Sequence, residues 1–164
     1  MGRRTIVPPA VREAAERAGM SPGVVSGGHL FLTGVTGADA DSRMPPDPEA
    51  QFRGAFDRIA QVLAEAGADL DALVEMTSHH VGLRDHFVLF DAVRRERLAA
   101  PWPAWTAVEV AGLRREGAVV EIRAVAAVDP EGRARGAPDP DPGPPPAAPR
   151  PSPAAPVTGA SRTA

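Results

Sequence analysis

The sequence predicts an α+β domain, a single mixed sheet with two helices packed on one face, in the order ββαβαββ. Three observations predict it. A glycine-turned pair of short apolar runs opens the domain, two stretches carry apolar residues every three or four positions, and Val119 to Val128 alternates in the manner of a strand. Two helices with one apolar face each and about five strands bury their apolar surfaces most economically as two layers around one core.

Val24-Val25-Ser26, then Gly27-Gly28, then His29 to Thr33 read as a hairpin, because two successive glycines tolerate the positive φ that a two-residue turn demands. Before it, Val11 to Gly19 has helix-forming composition without a strong apolar stripe, which leaves a short surface helix and an irregular arm equally open. Gly34 to Pro46 is a loop that ends at Asp47-Pro48, where Asp caps orphan amides and Pro suits the first helical position. The helix that follows has Phe52, Ala55, Phe56, Ile59, Leu63 and Ala66 on one face and stops at Gly67.

Leu73 to Val81 is a strand, with Val74, Met76, Ser78 and His80 on one face and Glu75, Thr77, His79 and Val81 on the other. A second amphipathic helix spans about Asp85 to Ala99, with Phe87, Phe90, Val93 and Leu98 inward and Pro101 closing it. Thr106 to Val110 and Val119 to Val128 are the last two strands. In the final strand Val120, Ile122, Ala124 and Ala126 face the helices, and Val119, Glu121, Arg123 and Val125 form a half-apolar opposite face suited to an oligomer interface with polar clefts.

Composition narrows the rest. Residues 1–20 are expected as an N-terminal arm, 21–128 as the folded domain and 129–164 as a disordered Pro/Ala-rich tail, because too few large apolar side chains occur there to offset the entropy of ordering. The net charge of −3 and the lack of a dense Lys/Arg run argue against a nucleic-acid partner. Arg94, Arg95 and Arg97 cluster, but Asp91 and Glu96 interrupt them, and a solvated helix face is the expectation. The absence of Cys removes disulfides, thiolate nucleophiles and cysteine zinc sites. Arg3-Arg4 is followed by no apolar signal region, and no apolar run is long enough to span a bilayer, so a cytoplasmic protein with no membrane partner is expected.

The blocks Leu30-Phe31-Leu32-Thr33-Gly34, Gln51 to Gly67, Leu73 to Leu83, Pro103-Ala104-Trp105-Thr106-Ala107-Val108-Glu109-Val110 and Val120-Glu121-Ile122-Arg123-Ala124-Val125-Ala126 together resemble the Rid (YjgF-type) family across the folded part of the chain. The resemblance implies a chorismate-mutase-like fold, a homotrimer with small-molecule clefts between subunits, no cofactor and no metal. The best-known members hydrolyse enamines and imines such as 2-aminoacrylate, and the arginine after Pro-Ala in their motif grips the substrate carboxylate. Here Trp105 stands at that position, and an indole with one neutral N–H cannot replace a bidentate anion clamp. The Glu-Ile-Glu of deaminating members is Glu121-Ile122-Arg123 here. The resemblance therefore points to a divergent branch that lacks the deaminase arginine.

Expected ligand-binding residues are Trp105, Arg123, Thr33, Gly34 and Ala107, with Glu121 as the candidate general base. Trp105 and Ala107 are expected to line one cleft together with Glu121 and Arg123. Trp105 competes as ligand-stacking wall and as plug; Arg123 competes as anion binder and as ion-pair partner of Glu121 or of an acid from another subunit. His79 and His80 point to opposite faces and cannot chelate one ion within a chain, and His80 is expected as a satisfied core histidine. Trp102 is expected as a packing anchor. A metabolite-binding protein acting on an imine- or enamine-like ligand is the leading expectation; a non-catalytic sensor or scaffold, and a pathway-specific hydrolase or isomerase, are the alternatives.

Overall fold

A computed structural model describes residues 2–39 and 41–129 of the chain. The expected tail lies outside the described residues beyond Asp129. The elements are β1 (Arg4–Ile6), α1 (Arg12–Ala18), β2 (Gly23–Ser26), β3 (His29–Leu32), α2 (Pro48–Glu65), β4 (Leu73–His80), α3 (Leu83–Arg97), β5 (Ala104–Glu109) and β6 (Val120–Ala127). From β2 onward this is the expected ββαβαββ order. All six strands form one sheet in the spatial order β1-β2-β3-β6-β4-β5, antiparallel throughout except for the parallel pair β4 and β5.

The arm contributes more than its sequence suggests, since β1 pairs with β2 and extends the sheet at that edge. Three residues are too few for alternation to register as a signal. The segment left open at 11–19 is helix α1, ended by Gly19 in the left-handed region. Gly27 and Gly28 both have positive φ, as the β2–β3 turn requires.

Asp47 caps α2 by accepting hydrogen bonds from the amides of Glu49 and Ala50, a contribution of about 1 kcal/mol. Behind the cap, Phe52, Ala55, Phe56, Ile59 and Leu63 are fully buried. They join Leu30, Met76, Phe90, Val120, Ile122, Ala124 and Ala126 in one core between the helices and the inner face of the sheet. Gln51, also buried, donates from Nε2 to the carbonyls of Pro45 and Gly117 and accepts at Oε1 from the amide of Val119. It thus ties the loop before α2 to the start of β6 with every polar atom paired.

Two details of the expected faces are corrected. A bulge between Leu73 and Glu75 turns Leu73 into the core and leaves Val74 exposed, so the alternation starts one residue out of phase. Phe87, expected inward on α3, is 41 % exposed, with its ring stacked on that of Trp105. Among the described residues no helix is long and apolar enough to cross a membrane.

Candidate functional site

Strand β4 lies between β5 and β6, and its registers decide which candidate residues meet. Met76 pairs with Trp105 on one side and Ala124 on the other; Ser78 pairs with Ala107 and Ile122; His80 pairs with Glu109 and Val120. These rows face the helices. The intervening rows, Thr77 with Thr106 and Arg123, and His79 with Val108 and Glu121, point to the outer face. Trp105 and Ala107 therefore do not share a face of the sheet with Glu121 and Arg123, so within one chain the two sets do not line the one cleft expected of them. The physical reason is register: a one-residue offset between paired strands reverses every side chain.

On the inner face the Trp105 indole donates from Nε1 to Ser78 Oγ at 2.9 Å. Helix α3 covers its ring, with Phe87 parallel to it at 5.9 Å and Phe90 tilted at 5.8 Å. The Arg94 guanidinium lies 4.3 Å from the Trp105 ring centroid and 5.6 Å from that of Trp102. Asp91 Oδ1 accepts from Arg94 Nε and Nη2, and Asp91 Oδ2 accepts from Arg95 Nε. Hydrogen bonds from Arg95 and Arg94 hold the Asp91 carboxyl below the ordinary carboxylate range.

Arg94 is 6 % exposed, which corrects its expectation as a solvated surface residue. The signal was present in the spacing: Phe87, Phe90 and Arg94 fall at i, i+3 and i+7, so Arg94 continues the helix's apolar stripe. Ser78 as the indole's partner had no comparable signal. Trp102, expected as a packing anchor, is half exposed. These contacts engage Trp105 as a packed element rather than a bare stacking wall.

His80, on the same inner face, is fully buried with its ring 4.6 Å from that of Phe90 and 6.4 Å from that of Phe52. Neither ring nitrogen has a hydrogen-bond partner, contrary to the expected satisfied histidine. Burial pushes its pKa down to about 4 against a smaller opposing pull from Glu109, while His79 and His86 add to the depression. Glu109 is itself committed, accepting hydrogen bonds from the amides of Gly82 and Leu83 at the N-terminus of α3.

The outer face is arranged differently. Arg123 reaches Glu75 at 3.4 Å, not Glu121, and Thr77 Oγ1 donates to Glu75 at 2.8 Å. Half-buried Glu121 lies against Gly34, where an added Cβ would stand 2.5 Å from Glu121 Oε1. Glycine at 34 is what lets the carboxylate lie over the strand end. Thr33 is half-buried beside it, its amide donating to the carbonyl of Pro22. Phe31 and Val108 are exposed on this face. Among the described residues no group of three or more His, Asp or Glu side chains could hold a metal ion. Two open clefts of about 150 and 360 Å³ run along β1 and α1 and are lined by none of these residues.

Comparison with known proteins adds four findings. The model of the family described as endoribonuclease L-PSP matches residues 12–128. The RutC family protein YjgH of Escherichia coli is 37 % identical over 131 residues, covering 78 % of this chain and 98 % of the relative. Among solved structures, a protein YjgH structure superposes with a TM-score of 0.72 at 32 % identity, covering 79 % of this chain and 98 % of that one. RidA from an Antarctic Psychrobacter superposes with a TM-score of 0.62 at 28 % identity, covering 66 % and 87 %.

Proposed function

The chain belongs to the Rid (YjgF-type) family, the one that the endoribonuclease L-PSP model describes, and from that membership we propose that it binds a small imine- or enamine-like metabolite in clefts between the subunits of a homotrimer, without the standard 2-aminoacrylate deaminase activity. The observation that carries the proposal is the division of the candidate residues between the two faces of the sheet. Trp105, Ala107 and Arg94 form one half-site along the β5 edge; Thr33, Gly34, Glu121 and Arg123 form another on the outer face. A cleft containing both halves needs a second copy, with the β5 edge of one subunit set against the outer face of the next. Exposed Phe31 and Val108 supply apolar surface for such a contact.

The deaminase reading loses support at position 105. Trp105 offers a single donor, and that donor is spent on Ser78. The nuclease activity in the family descriptor is not part of the proposal: the chain carries a net charge of −3, and Arg53, Arg94, Arg95, Arg97 and Arg123 are held in ion pairs. The test joins light scattering on the eluting protein to an ammonia-release assay with 2-aminoacrylate. A trimer that does not accelerate ammonia release is expected. A monomer would overturn the intersubunit cleft, and robust turnover would overturn the loss of deaminase activity.

A further inference from the structure

We propose that His80 is the acid-sensitive part of a latch that holds the start of α3 on the sheet: neutral, it leaves the Glu109 carboxylate to the helix, and charged, it draws that carboxylate to itself so that the first turn comes away. The latch lies within one chain and depends neither on the ligand nor on the assembly.

Three features of the geometry carry it. Helix α3 starts from Gly82 in the left-handed region and, unlike α2 with Asp47, has no side-chain cap of its own. The amides of Gly82 and Leu83 donate instead to Glu109, at 2.9 and 2.6 Å, from the end of β5. Glu109 is also the residue that pairs with His80 in the β4–β5 register, so one carboxylate serves the helix start and stands beside the imidazole. That imidazole is fully buried with neither ring nitrogen bonded, which leaves it ready to take a partner once it carries a charge.

The surroundings of His80 leave a proton on it one place to turn. Helix α3 presents Phe90 at 4.6 Å, α2 presents Phe52 at 6.4 Å and β6 presents Val120. The titratable groups that act on the ring are Glu109 from β5, His79 beside it on β4 and His86 from the first turn of α3, and of these Glu109 alone favours the charged form. Burial lowers the pKa to about 4, whereas an imidazole freed by opening titrates near 6.5. The open form therefore binds more protons below pH 6.5, and opening grows as the pH falls from there towards 4.

Hydrogen exchange of the full chain, read amide by amide and corrected for the intrinsic rate at each pH, tests the latch. Gly82 and Leu83 should exchange through an opening that low urea does not promote and that costs less than the unfolding reported by the α2 amides. From pH 7 to pH 5 the opening constant should rise roughly twentyfold. His80→Phe, which keeps an aromatic ring and cannot be charged, should make the constant independent of pH over this range; Arg17→Gln, remote on α1, should keep the full rise. Glu109→Gln should raise the constant already at pH 7, since a neutral amide accepts more weakly than a carboxylate. If circular dichroism shows that His80→Phe is not folded, His80→Leu carries the same comparison. Exchange of Gly82 and Leu83 only together with α2 overturns the local latch. No rise towards pH 5, or a rise that survives the loss of the imidazole, overturns the role of His80, and an unchanged constant in Glu109→Gln overturns that of Glu109.

Discussion

The two faces of the sheet around β4 carry similar side chains under different constraints. On the inner face Ser78, Trp105, Asp91, Arg94 and Phe90 are interlocked, each committed to a named neighbour, with Ser78, Phe90 and Arg94 buried. On the outer face Arg123 and Glu75 are 49 % and 35 % exposed and meet at 3.4 Å, while Phe31 and Val108 face water. A charge on the inner face is positioned by packing. A charge on the outer face has one exposed partner and solvent, and that difference is why the two faces should answer differently to substitution.

The largest expected effect tests the packing of the inner face. Phe90 meets Phe52, Phe56, His80 and Trp105, so Phe90→Ala should cost about 3–5 kcal/mol in urea unfolding, whereas Phe31→Ala on the outer face should cost less than about 1 kcal/mol within a subunit. Equal losses would erase the distinction between the faces.

A second effect comes from His80. The folded state holds its pKa at about 4 and the unfolded chain near the ordinary histidine value of 6.5, so the unfolded state binds more protons between these pH values. Stability should therefore be full above pH 6.5, fall by about 3 kcal/mol as pH drops to about 4, and stop falling on this account below that. His80→Leu should remove this part of the slope in thermal melts at stepped pH. An unchanged slope would move its origin to another group.

The smallest effect belongs to the outer face. Arg123→Gln should change stability by less than about 1 kcal/mol, and by less still in high salt, since an exposed pair is screened. A loss of several kcal/mol would mean that assembly desolvates the pair, and would sharpen the contrast by making the outer face an interior surface of the oligomer.

Much of the fold was legible because it is written in local periodicity. The Gly27-Gly28 turn, the Asp47 cap, the apolar stripe of α2 and the alternation of β6 each depend on residues within a few positions of one another. Strand β1 was not legible, since three residues cannot show alternation, and neither was the bulge that exposes Val74. Of the candidate site, the sequence supplied Trp105, Ala107, Thr33, Gly34, Glu121 and Arg123, but not that Trp105 and Ala107 lie on the opposite face of the sheet from Glu121 and Arg123 within one chain.

By itself, then, the sequence determined the strands and long helices from β2 to β6, most of the faces within them, and which family the chain resembles. Tertiary structure alone decided that Trp105 faces α3, that Arg123 turns to Glu75, that Arg94 is buried beside two indoles and that His80 has no partner. The reason is physical: periodicity fixes faces only relative to the same segment. The phase between β4 and β5 is set by pairing residues 29 positions apart, such as Met76 with Trp105, and a shift of one residue there would have put the indole on the other side of the sheet.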